Sequence, residues 1–130
     1  MLRVVALLLV ILTGSCFVPQ HGLEVYVRER GEFWEASNVE RVEVVFTDKF
    51  RFTATSHHVD RIDLPYSQFK RLVEYSFKRR IVDIARIIHN HPPDGCPGLS
   101  PSDREFLAAL RCDGFTGRFV VWYKGGLRDY

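Results

Sequence analysis

His89 and His91 stand two residues apart at the end of a β-branched run, Ile81-Val82-Asp83-Ile84-Ala85-Arg86-Ile87-Ile88. On an extended segment residues i and i+2 project to one face, so two imidazoles can meet one cation. An isolated H-x-H pair is more often two ordinary polar residues than a metal site, so a third ligand decides the matter. Asp103 can supply it. Pro92, Pro93, Gly95, Pro97 and Gly98 exclude regular structure between the two halves, and the loop from Pro92 to Leu99 is long enough to fold back and set the next helix beside the strand end. Two nitrogens and one carboxylate oxygen would leave the fourth tetrahedral position of a zinc ion to water, as in catalytic rather than structural zinc sites. Ser100 and Asp103 also have a purely structural explanation. Ser100 reads as an N-cap with Pro101 at the first helical position, and an acid at the third favours the helix dipole and can bond back to the cap.

The elements that must position these residues are legible as periodicities. Leu23 to Arg28 alternates apolar and polar residues, as a half-buried strand should, before a turn at Gly31. Val42 to Phe46 and Phe50 to Thr55 flank Thr47-Asp48-Lys49, which predicts a hairpin. From Pro65 to about Arg79, Phe69, Leu72, Val73 and Phe77 recur at helical steps and predict an amphipathic helix. The run Ile81 to Ile88 predicts the strand that delivers His89. A helix follows from Ser100, with Phe106, Leu107 and Leu110 facing inward and Gly114 ending it. Arg118 to Lys124 reads as a strand buried on both faces, after which Gly125-Gly126 turns the chain toward its end. The fold class expected is α/β (α+β).

A chain of 130 residues with 46% hydrophobic residues can bury one ordinary core, and no second domain is expected. A formal charge of +2 gives no global field favouring nucleic acid, a membrane surface or a strongly acidic substrate. The first sixteen residues differ from the rest: Arg3, the apolar run Val4 to Leu12, then small residues before Cys16. They resemble a bacterial export signal with a lipoprotein processing box, although Thr13 sits where Leu is commonest. The apolar run is shorter than the roughly 20 residues a helix needs to cross a bilayer. The expected organisation is an export signal over 1–16, a linker over 17–22 and one domain over 23–130. That makes the protein periplasmic or a lipoprotein anchored in the cell envelope through lipidated Cys16. Cys96 and Cys112 could pair in an oxidising compartment, Cys96 could approach the metal site, or both could be incidental thiols. His57 and His58 read as surface residues, and Trp34, Trp122 and Tyr123 as core or rim packing.

His89-Asn90-His91-Pro92, then seven residues, then Ser100-Pro101-Ser102-Asp103, resembles the H-x-H-P…S-x-x-D signature of the JAMM (MPN-domain) metallopeptidases. The wording is most similar to their bacterial RadC-like branch. The resemblance implies a cytidine-deaminase-like MPN core, a mixed curved sheet flanked by helices. It also implies one zinc ion per chain, held by His89, His91 and Asp103, and hydrolysis of an amide in a peptide or protein substrate. It further implies a general-base glutamate on an earlier strand, for which Glu40 and Glu43 compete. Glu40 shares the parity of inward-facing Val42, Val44 and Phe46, whereas Glu43 points the other way. The Ser100 hydroxyl would help to hold the oxyanion. RadC-like proteins usually carry an extra helical domain where this chain has an export signal, and no nucleic-acid partner is expected. Two other classes compete: a noncatalytic MPN-like interaction module, and a nucleic-acid binder acting through Lys70, Arg71, Lys78, Arg79 and Arg80, which more often form a solvated face.

Overall fold

The computed structural model describes residues 23–27, 39–56, 62, 64–93, 95 and 97–130. The expected export signal and linker, and Trp34, His57, His58 and Cys96, lie outside them. Among the described residues there are six strands: β1 (Glu24–Val27), β2 (Arg41–Phe46), β3 (Arg51–Thr55), β4 (Ile84–Asn90), β5 (Arg118–Tyr123) and β6 (Gly126–Asp129). They form one mixed sheet in the order β1-β3-β2-β4-β5-β6. Two helices complete the α/β architecture: α1 (Tyr66–Arg71), which widens into a π-helical turn over Leu72–Ser76, and α2 (Pro101–Cys112). No helix among the described residues is long and apolar enough to cross a membrane.

The hairpin forms where the sequence places it. Val42 pairs with Ala54 and Val44 with Phe52, so these apolar residues share one face. The turn closes through Phe46 N–H to Phe50 O at 2.8 Å, and Asp48 Oδ1 accepts from Phe50 N–H at 3.2 Å. That face packs on both helices, with Phe52, Phe69, Val73, Ile87, Leu110 and Phe119 all buried in one core. Rings bind the layers together: Phe52 stacks on Phe77 at 4.5 Å and Phe69 meets Phe106 edge-on at 5.0 Å.

Three boundaries depart from the periodicities. Regular α-helix ends at Arg71 rather than near Arg79, and the chain then closes wider rings, Phe77 N–H bonding Leu72 O at 3.0 Å. The wide turn buries Leu72, Val73, Ser76 and Phe77 together, and left-handed Lys78 (φ 56°) ends it. Ile81–Asp83 forms a 3-10 turn instead of opening the strand. Among the described residues no strand pairs with it, because β2 stops at Phe46 and a register shift after Val45 pairs Phe46 with Ile84. Lastly, Lys124 and Gly125, both at positive φ, make a two-residue turn of the hairpin type, so the chain returns as β6 on β5. Arg118 pins β6 with two 2.9 Å hydrogen bonds to Asp129.

β4 and β5 run parallel, which requires a long crossover, and α2 lies in it. Just before β5, a Cβ on Gly117 would lie 2.6 Å from Ile84 O and closer still to Ala85 O, so this backbone approach admits only glycine. Gly117→Ala is expected to cost about 1–3 kcal/mol in urea unfolding, as overpacking does. Gly126→Ala, whose Cβ would meet nothing closer than 3.6 Å, should stay within about 0.5 kcal/mol. Equal stability of the two variants would contradict the tight β4/β5 approach.

Candidate metal centre

The ends of β4 and α2 meet at one point. His89 is the penultimate residue of β4 and His91 follows its last, with His91 N–H bonded to Trp122 O at 3.0 Å, so extended backbone continues through both rings. The rings are 4.7 Å apart, nearly perpendicular. Glu40 immediately precedes β2, and since Val42 pairs with His89, Glu40 lies level with His91 on the neighbouring strand. Asp103 arrives from the first turn of α2. Ser100 and Asp103 form a reciprocal cap: Ser100 N–H donates to Asp103 Oδ2 at 3.0 Å and Asp103 N–H to Ser100 Oγ at 3.1 Å.

The cap does not exhaust Asp103. Its Oδ2 also lies 3.0 Å from His91 Nε2 and its Oδ1 lies 3.5 Å from His89 Nε2, while Glu40 Oε2 stands 3.5 Å from His89 Nε2. One ligand atom from each of Glu40, His89 and His91 falls within 4.8 Å of the others, a group that could hold a metal ion. Around a tetrahedral cation with bonds of about 2.0–2.2 Å, neighbouring ligand atoms are about 3.3–3.6 Å apart, a range close to the separations of Asp103 from each histidine and of Glu40 from His89. The protonation states suit this too. Burial pushes His89 down to about 4, leaving a neutral imidazole near neutral pH. Burial acts against a charge on Asp103, yet the hydrogen bond from His91, the field of His89 and the Ser100 N–H together hold it near 2.

Glu40, His89, His91, Ser100 and Asp103 line a cavity of about 440 Å³, and no lysine or arginine is among its described lining residues. Two carboxylates, of which Glu40 is 4% exposed, thus face it. Glu43 alternates to the other side, as parity requires, and is buried with Oε1 3.7 Å from Arg86 Nη2.

Two residues that the sequence did not single out hold Glu40. Asn90, between the histidines, faces away from them. Its Oδ1 accepts from Arg41 N–H at 2.6 Å and its Nδ2 donates to Val39 O at 3.1 Å, gripping the backbone on both sides of Glu40. Thr55 Oγ1 donates to Glu40 O at 2.7 Å. The only hint in the sequence was an amide residue at the alternating position between two ligands. The connecting loop is tied by Tyr123 Oη donating to Pro93 O at 3.1 Å. Cys112 is exposed. Of the five basic residues, Lys70 pairs with Asp113, Arg79 with Asp48 and Arg80 with Asp83.

Asn90→Ala should lower stability by about 2–3 kcal/mol, because it strips partners from two part-buried backbone groups. Urea unfolding, with amide exchange at Arg41 selectively accelerated, checks this, and unchanged values for both would contradict the clamp. The chain matches no family model, no curated protein and no solved structure.

Proposed function

We propose that this protein is a zinc-dependent hydrolase of the JAMM (MPN-domain) type, similar to the bacterial RadC-like branch, that cleaves a peptide or isopeptide amide. One observation carries the reading: in one cavity Asp103 lies 3.0 Å from His91 Nε2 and 3.5 Å from His89 Nε2, and Glu40 lies 3.5 Å from His89 Nε2. His89, His91 and Asp103 would hold one zinc ion. When bound, it supplies a Lewis acid that polarises the scissile carbonyl and lowers the pKa of water from about 15.7 toward about 7. Glu40 takes the proton of the attacking water and returns it to the leaving amine. The Ser100 Oγ accepts within the helix cap, and its own hydrogen is available to donate to the developing oxyanion. The mixed sheet, with α2 in the crossover between parallel β4 and β5, supports this reading. The segment 1–16 exports the protein, and lipidated Cys16 holds it at the cell envelope, so its substrate is an envelope protein or peptide.

A second ligand set is Glu40 with His89 and His91, each of which offers an atom within 4.8 Å of the others. Metal analysis of purified variants separates the two. His89→Ala and Asp103→Ala are expected to lose stoichiometric zinc, whereas Glu40→Gln keeps it and loses turnover by about 100- to 10,000-fold on a peptide library. Loss of zinc in Glu40→Gln, or its retention in Asp103→Ala, would favour the second set, and wild-type turnover in Glu40→Gln would reject its role as base. Ser100→Ala should reduce turnover by about 100- to 1,000-fold. It should also cost about 1 kcal/mol of stability through the lost cap. Ser100→Thr, which keeps hydroxyl and cap, should restore both; a turnover loss that Thr does not rescue would remove the hydroxyl from the mechanism.

A further inference from the structure

The cavity is much larger than the cluster requires. A water molecule takes up about 30 Å³, so a cation and its water fill a small part of the 440 Å³. The rest is lined by residues one structural repeat away from the chemistry. Val42 follows Glu40 by two residues on the same face of the strand, Ile87 precedes His89 by two, and Phe106 follows Asp103 by three, about one turn along α2. Phe119 pairs with Ile87 in register, Ile62 and Leu64, between β3 and α1, add to the apolar wall, and Pro92, Gly95 and Ser102 also line the cavity. β2, β4 and α2 therefore each bring an apolar lining side chain within one repeat of a polar one. A cavity of this size is in the range of about 300–1,000 Å³ found for small-molecule sites.

We infer that this apolar half is a specificity subsite for a bulky aliphatic or aromatic side chain, leucine- or phenylalanine-like, beside the scissile amide. The word scissile rests on the hydrolase reading; the subsite rests on the lining alone. An acidic side chain would be stripped of water there with no lysine or arginine among the described lining residues to meet it, and a small one would leave apolar wall unfilled. The preference is read in transition-state binding, where about 10- to 200-fold follows from a single methylene in such a pocket.

The test uses the full chain with labelled methyl groups, first free of metal. N-acetyl-leucine methylamide should shift the methyl resonances of Val42, Leu64 and Ile87 at a concentration at least tenfold below that needed for N-acetyl-glycine methylamide. Ile62→Trp, filling the partly buried wall, should weaken this response tenfold or more, and Ile62→Val should retain it. Equal responses to the two amides, or shifts confined to other residues, would overturn the subsite. The zinc-loaded protein is then given leucyl and glycyl peptides. A kcat/KM at least tenfold higher for leucine supports the proposal. Hydrolysis without that preference overturns the subsite and leaves the hydrolase standing, whereas leucine-selective shifts with neither peptide cleaved do the reverse.

Discussion

Asp103 ties the two halves of the site together with one carboxylate. Its Oδ2 receives the Ser100 backbone N–H and lies 3.0 Å from His91 Nε2, so the group that starts α2 is also the group that meets the end of β4. The two demands reinforce each other. Capping fixes the side chain before any ligand arrives, and the unsatisfied N–H groups of the helix start favour the negative charge that a cation needs opposite it. Were Asp103 only a cap, no histidine would have to lie within 3.5 Å of either of its oxygens; here one lies near each.

That carboxylate can reach its partners only because the sheet is built to receive it. β4 and β5 run parallel, and the crossover between them brings α2 back so that its N-terminus stands beyond the carboxyl end of β4. Ligand sites in open α/β sheets lie at such strand ends, for the same geometric reason. Glu40 comes from the antiparallel neighbour, and its position depends on register: Val42 opposite His89 sets Glu40 beside His91. A slip of one residue would exchange Glu40 for Arg41 or Val39 at that level, and Asn90, bonded to the backbone of both, opposes the slip.

Much of this arrangement was legible in the sequence because it depends on local chemistry. The hairpin at Thr47 to Lys49, the Ser100 cap and the β-branched delivery of His89 are each encoded within a few residues, and the structure has them there. The parity that preferred Glu40 over Glu43 agrees with the side on which each is found. What escaped was set by distant partners. The strand at Ile81 to Asp83 failed for want of a neighbour, the π-turn after Arg71 follows from packing Leu72, Val73, Ser76 and Phe77 into one layer, and β6 has no apolar alternation to announce it. Asn90 and Thr55 escaped for the same reason: their value lies in bonds to residues 15 to 51 positions away.

The central claim is that two imidazoles and the helix-capping carboxylate share one cation. Crystals of the zinc-loaded protein, measured on both sides of the zinc absorption edge, test it most directly. The account predicts a single anomalous peak about 2.0–2.2 Å from a nitrogen of His89, a nitrogen of His91 and an oxygen of Asp103. A peak that bypasses Asp103, or zinc bound only elsewhere on the chain, would contradict it.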